Sequence, residues 1–327
     1  MKGLVTVFGG SGFVGAQIVR ALAKRGLRVR VAVRRPGRGY RLRMLGEVGQ
    51  VEIVQANIRD AASVGRALDG AEACVNAVGV LHESGRQTFE AVHVDGVRAI
   101  AGAAAARGIQ IFVHLSAIGA DPASRSVYAR TKAAGETASR EAIASTTVMR
   151  PSIVFGAADR FFNRFAAMAT LSPALPLIGG GATRFQPVFV TDVANAVGEA
   201  AIQSVAAGRT YELGGPAVRT FRELMELMLR EIGRSRLLVP IPFGVASLMG
   251  AAGDLVAATG LIAPPITRDQ VDLLRSDNVV SADALGLADL GIVASAMEPI
   301  VPTYLYRYRK GGQYAELTRA AAALPAR

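Results

Sequence analysis

The sequence has one cysteine, no tryptophan and three histidines, and its first acidic residue is Glu47. A lone cysteine, Cys74, excludes a disulfide within the chain and a cysteine-based metal cluster. It lies in the apolar run Ala73-Cys74-Val75, the setting of a buried structural thiol. His82, His93 and His114 lack the spacing of a metal site, so no metal is expected and the three read as structural side chains. Without tryptophan and with 6% aromatic residues, there is little from which to build a stacking platform for single-stranded nucleic acid. The longest uncharged runs, 165–183 and 237–253, are broken by Pro173 and Pro176 and by Pro240 and Pro242. Neither offers the roughly 20 apolar residues of a spanning helix. The chain starts Met-Lys-Gly-Leu-Val, already in a strand pattern, which leaves no room for a signal peptide or presequence. The expectation is a bacterial cytoplasmic protein, with peripheral contact at the inner face of the cytoplasmic membrane.

Hydrophobic residues make up 51% of the 327 and charged residues 19%, which excludes intrinsic disorder and suits one large or two intimate domains. The net charge of +11 is unevenly placed. Residues 1–46 hold eleven basic side chains and no acid, whereas the remaining 281 residues carry 26 of each sign. The basicity is therefore local. Apolar strand patterns at 4–8, 28–33, 51–55, 73–76, 111–115 and 146–149 alternate with helical patterns at 14–24, 61–68, 89–107 and 128–143. That alternation predicts an α/β fold, a doubly wound parallel sheet covered on both faces. Further on, 188–190, a helix from Thr191 to about Ser204, and 210–213 read as a return to the sheet, followed by helices at 221–232 and 243–258 and a stop at Pro264-Pro265. The expected division is a Rossmann domain at 1–155 with return segments at about 184–215, and a smaller, partly interleaved C-terminal domain at 156–183 and 216–327.

Three local features point to chemistry. Gly9, Gly12 and Gly15 follow the first strand and open the first helix, together with Phe13 and Val14. Glycines there let the backbone approach a pyrophosphate, and the helix N-terminal amides complement its charge. The second strand runs into Arg34-Arg35, where a fold selective for NAD has an acid for the ribose 2′-hydroxyl. Guanidinium groups pair with a 2′-phosphate instead, which predicts NADPH or NADP as cofactor. Finally, Tyr128 and Lys132 form Y-x-x-x-K on one helical face. A nearby ammonium favours the phenolate, bringing the tyrosine toward use as a general acid or base.

The glycine loop with Tyr128 and Lys132 resembles the extended short-chain dehydrogenase/reductase family. So do Asn76-Ala77-Val78-Gly79, the segment Arg150–Gly156 (R-P-S-I-V-F-G) and the segment Val188–Ala194 (V-F-V-T-D-V-A). Within it, the stretch from Phe155 to Ala166, Thr267-Arg268-Asp269-Gln270-Val271 and the stretch from Leu287 to Ile292 look closest to the NADPH-binding accessory subunits of respiratory complex I. The resemblance implies Tyr128 as proton donor, Lys132 on the cofactor ribose and Ser116 on a substrate carbonyl. It also implies cofactor contacts at Asn57, Ile58, Ala77, Gly79, Pro151 and Ile153. It implies a tightly held NADPH with a structural or regulatory role, a partner in complex I or a quinone-related membrane assembly, and a link to ubiquinone metabolism.

Two positions depart from the family. Ile118 stands where extended enzymes often place the catalytic Ser or Thr, and Ser116 then either acts in its place or caps the strand end. Asn57 replaces an Asp that meets adenine. Two readings follow: a cofactor-holding accessory protein, or an NADP-dependent oxidoreductase or epimerase acting on an apolar carbonyl or quinone-like substrate. The uncharged stretch 240–258 and the tail Tyr304-Leu305-Tyr306-Arg307-Tyr308-Arg309-Lys310 suit a partner or headgroup contact, a lid helix or a solvated end. Nucleic-acid binding has no motif in its support.

Overall fold

A computed structural model, which describes residues 3–202, 206–258 and 266–314, places seven parallel strands in one sheet. They are β1 (Leu4–Phe8), β2 (Arg28–Val33), β3 (Val51–Gln55), β4 (Ala73–Asn76), β5 (Ile111–Leu115), β6 (Thr147–Pro151) and the later β11 (Thr210–Leu213). Their order is β11-β6-β5-β4-β1-β2-β3. The chain leaves β1 in one direction and β4 in the other, so a crevice opens between their C-terminal ends, where open α/β sheets bind ligands.

Helices cover both faces. α1 (Phe13–Lys24) turns Ile18, Val19 and Leu22 into the sheet at helical spacing and stops at Gly26, whose φ of 76° is the left-handed turn that glycine adopts freely. It packs against α6 (Val190–Ala200), and Arg25 bridges the two by bonding Glu199 at 2.5 Å. On the other face lie α2 (Ala61–Leu68), capped by Asp60, then α3 (Gly96–Ala105) and α4 (Val127–Ala142).

The sequence patterns match these elements within a residue or two, with four differences. The helix expected from Thr191 to about Ser204 ends at Ala200, and Ser204 lies outside the described residues. The helix expected over 89–107 begins as a π turn, Glu90–Asp95, before α3. Strand β10 (Val188–Phe189) pairs with β7 (Val154–Phe155) in a separate ribbon, so of the two return segments only β11 joins the main sheet. The Tyr304 tail is not a headgroup contact throughout. Tyr304 and Leu305 are buried in α10 (Pro302–Leu305), where the Tyr304 hydroxyl donates to Asp159 (2.7 Å), and Tyr308 and Arg307 bond Asn163. Aromatic rings and a carboxylate on α5 (Phe162–Leu171) and the loop before it offer that segment more than water does. Pro264-Pro265 lies outside the described residues.

The segments after β7 build a second apolar cluster. Phe155, Phe162, Leu175 and Leu177 meet Phe221, Leu224 and Met228 of α7 (Phe221–Glu231), with β8 (Ala174–Ile178) paired to β13 (Leu237–Ile241). Beyond it, α8 (Phe243–Ala258) packs on α9 (Arg268–Leu273). Between the two regions, Arg150 on β6 forms a two-bond pair with buried Glu136 of α4 (2.9 and 2.7 Å) and approaches Glu212 of β11 at 3.6 Å. This is the arginine of the R-P segment, and its role here is to fasten α4 to the sheet.

Arg150→Met leaves two buried carboxylates, Glu136 and Glu212, without their cation. It should lower the unfolding free energy by about 3 kcal/mol in a denaturant titration. Arg98→Met, in an exposed pair with Asp95, should change it by less than about 0.5 kcal/mol.

Candidate functional site

The glycine loop lies at the mouth of the crevice. Gly9 has φ of 79°, and a side chain there would meet the Ala77 carbonyl at 2.7 Å. A Cβ on Gly15 would stand 2.2 Å from the Gly9 carbonyl. These two contacts bring three pieces of backbone together and leave an open cradle. Gly12 heads α1 with no side-chain cap and no acid in the first turn, so the amides of Phe13, Val14 and Gly15 face a ligand's charge undiluted. The Phe13 ring lies against Gly156 beyond β7. The cradle fits a pyrophosphate.

At the end of β2, Arg34 and Arg35 are exposed and make no hydrogen bond or ion pair to a described residue. Other arginines of the basic N-terminal stretch are committed elsewhere: Arg25 to Glu199, Arg30 to Glu52 and the Asp69 carbonyl. The charge excess therefore divides into structural and free guanidinium groups, and Arg34 and Arg35 at the end of β2 belong to the second group. Asn57 accepts from Arg59 N–H through Oδ1 (3.2 Å), and Ile58 is buried against Gly96. Ala77 is half-buried and Gly79 exposed, while Pro151 accepts from Ile118 N–H (3.1 Å) and Ile153 from Val188 N–H (2.9 Å).

Around Tyr128 the arrangement differs from the sequence reading. Lys132 is buried and gives its ammonium to the Leu115 carbonyl at 2.6 Å. Burial brings its pKa down to about 8, against the opposing pull of Glu136. The tyrosine is not drawn toward phenolate. Burial, then the negative charge of Asp269, pushes it up to about 12. Ser116 does not cap the strand end: its Oγ is buried without a partner among the described residues, the state of a hydroxyl awaiting a ligand group. Ile118 fills its position with a buried apolar side chain.

Two histidines lie at the site that their lone positions did not announce. The π turn aims His93 at Tyr128, ring centroids 5.3 Å apart and edge to face, with Phe89 stacked behind. Val80 N–H donates to its Nε2 (3.1 Å), so Nδ1 carries the proton and donates to Thr131 Oγ1 (3.2 Å), which donates to the Tyr128 carbonyl (3.0 Å). Asn76 accepts from Val78 N–H through Oδ1, which directs its Nδ2 to His114 Nδ1 at 3.2 Å. His114 is therefore protonated on Nε2, which is buried and unpartnered beside Ser116. A π bulge in a helix near a site is the one signal that would have found His93, and it is invisible in apolar periodicity.

Beside the Phe89 edge of the tyrosine, a cleft of about 670 Å³ opens between the 82–89 loop, the start of α4 and α8–α9. Its walls carry Glu83, Asp254, Asp269, Asp272, Arg125 and Arg268, with Phe89 and Val127 as its apolar surface. Among the described residues, no group of three or more His, Cys, Asp or Glu side chains could hold a metal, and no helix is long and apolar enough to cross a membrane.

The histidines make stability depend on pH. An unfolded histidine protonates near 6.5, whereas burial and Lys132 hold His93 down to about 3 and His114 well below its usual value. The unfolded chain thus binds more protons in acid. Stability from this source is full above pH 6.5 and is lost as pH falls from there toward 3, by up to about 1.4 kcal/mol per pH unit for each ring. His93→Gln should remove about one proton from the slope of unfolding free energy between about pH 6 and pH 4; an unchanged slope would contradict the assignment.

The NAD dependent epimerase/dehydratase family matches residues 5–214. Over 320 residues the chain is 37% identical to the mitochondrial NADH dehydrogenase [ubiquinone] 1 alpha subcomplex subunit 9 of Arabidopsis thaliana, covering 95% of this chain and 80% of that protein. It is 30% identical to the mitochondrial NADH-ubiquinone oxidoreductase 40 kDa subunit of Neurospora crassa, over 94% of this chain and 80% of that one. The NADPH-dependent quinone oxidoreductase QOR2 of Escherichia coli, complexed with NADPH, superposes with a TM-score of 0.71 at 18% identity, over 92% of this chain and 99% of that chain, and shares the fold. The sheet, the glycine cradle and these similarities together make the chain a member of the NAD dependent epimerase/dehydratase family, with an NAD(P)-binding Rossmann fold, in the branch of the complex I alpha subcomplex subunit 9 proteins.

Proposed function

We propose that this chain holds NADP(H) as a structural cofactor and serves as an accessory subunit of a respiratory complex I. The observation that carries the structural role is the state of Tyr128, a half-buried phenol raised to about 12 with Ile118 where a polarising hydroxyl belongs. Bound NADPH would supply a hydride, but these residues offer that chemistry a weak partner. They are better placed to bind: the amides of Phe13, Val14 and Gly15 on the pyrophosphate, Arg34 and Arg35 on the 2′-phosphate, Asn57 and Ile58 at the adenine, and Ala77 and Gly79 along the groove. Tyr128 and Lys132 would meet the nicotinamide ribose, with Pro151 and Ile153 beyond. A ligand bound only by the folded state stabilises it by mass action.

In this proposal residues 1–155 with 184–215 hold the nucleotide, and 156–183 with 216–327 face the partner. The support is α8, whose outward residues Leu248 and Leu255 are each 75% exposed, beside Val245 and Met249. A helix apolar on its outer face is ordinarily covered. We place it against the membrane-side assembly, at the inner face of the cytoplasmic membrane. The relatives named as complex I subunits support that partner. A second reading, an NADP-dependent oxidoreductase, is favoured by one observation: a neutral Tyr128 beside the Lys132 ammonium is the form that donates a proton. Its substrate would be an apolar carbonyl or quinone-like molecule, and Tyr128→Phe would abolish turnover.

Arg34→Asp with Arg35→Ala should weaken NADPH by about tenfold to a hundredfold in a binding titration, with NADH little changed. Equal losses would contradict the 2′-phosphate assignment. The tagged chain should sediment with membranes and co-purify with NADH dehydrogenase activity; recovery wholly apart from them would contradict the accessory role.

A further inference from the structure

α4 begins with no acidic residue in its first turn. Its free amides and the positive end of its dipole favour a negative charge there. That charge arrives from a distant part of the chain. Asp269 of α9 accepts from Val127 N–H (2.5 Å) with one oxygen, and from Tyr128 N–H (3.3 Å) and Ser126 Oγ (2.9 Å) with the other. Ser126 Oγ in turn accepts from Ala129 N–H at 3.2 Å. The first three amides of the helix are thereby held, two of them by a single carboxylate 141 and 142 residues away.

α9 is itself fixed from several sides. Thr267 and Gln270 form its capping box, and Gln270 Nε2 also donates to the Leu81 carbonyl (3.3 Å). Arg268 N–H donates to Asp254 of α8 (3.3 Å), and Val271 is buried with Ile178 and Ala246. A few residues on, Asn278 bonds the Ile118 carbonyl (3.2 Å) and Ser152 Oγ (2.7 Å). The segment thus touches the chain at Leu81, Ile118 and Ser152 as well as the start of α4.

We propose that Asp269 is a positioning residue for Tyr128, the point at which the C-terminal helix pair α8–α9 grips the helix that carries the tyrosine. Three titratable groups face Tyr128: Lys132 from its own helix, His93 from the π turn and Asp269 from α9. His93 is neutral and Lys132 is bonded to the sheet, so Asp269 supplies the negative charge that, added to burial, keeps the phenol protonated. Any shift of α8–α9, of which α8 has an apolar and exposed outer face, is then felt at Tyr128 through the Asp269 carboxylate. The inference does not depend on the cofactor or partner proposed above.

The test uses the full chain with fluorotyrosine incorporated, the Tyr128 resonance being the one missing in Tyr128→Phe. Asp269→Asn removes the charge while keeping the shape. It should move the Tyr128 titration to lower pH and speed hydrogen exchange of the Val127 and Tyr128 amides by about tenfold or more. Asp272→Asn, on the same helix and paired with Arg275, should leave both unmoved. The proposal requires both effects: failure of either, or equal effects in Asp272→Asn, overturns it. If Asp269→Asn does not fold, Asp269→Glu keeps the charge on a longer arm. It should speed exchange at the two amides while the titration stays high, and unchanged exchange would overturn the proposal.

Discussion

Everything at the site depends on the way α4 presents polar side chains to an apolar sheet. Tyr128, Lys132 and Glu136 recur every fourth residue on its inner face, so an ammonium and a carboxylate are buried where neither is tolerated unpaired. Each is answered by a group on the sheet: Lys132 by the carbonyl that ends β5, Glu136 by Arg150 on β6. Asp269 answers the helix start. With three anchors along one helix, Tyr128 has little freedom, and its position relative to the glycine cradle is set by the sheet itself.

The same arrangement separates holding from reacting. Burial holds the phenol protonated, and a carboxylate near the helix start pushes it the same way. The cradle, by contrast, is built entirely from backbone that a Cβ would block and from amides that no acid neutralises. In the proposed reading the cradle is preorganised for a dinucleotide, while Tyr128 is held in the protonated form, able to give a proton and a poor base. That asymmetry is what a protein that keeps a dinucleotide in place, as part of a larger assembly, would be expected to have.

Much of this was legible in the order of residues. The strands are short apolar runs with clear ends, and Gly9, Gly15, Tyr128 and Lys132 stand at spacings that local geometry dictates. What was not legible comes from partners distant in sequence or from departures in helical period. His93 reaches the tyrosine because a π turn rotates it, and no apolar pattern reports that rotation. Asp269 and Asn278 lie in the last fifth of the chain, and only the fold brings them to α4 and β5. The protonation of Tyr128 is not legible in Y-x-x-x-K for the same reason, since it depends on burial and on Asp269. Nor does the tail's own sequence show the Asp159 and Asn163 that receive it.

The central claim is that a dinucleotide is held rather than consumed. The direct measurement is to purify the protein without added cofactor, denature it, and identify and count the nucleotide released. One equivalent of NADP(H) per chain, resistant to exchange and to oxidation by added ketones and quinones while the protein is folded, is the result this account predicts. An empty protein, one carrying NAD(H), or one whose nucleotide turns over rapidly with such a substrate would contradict it.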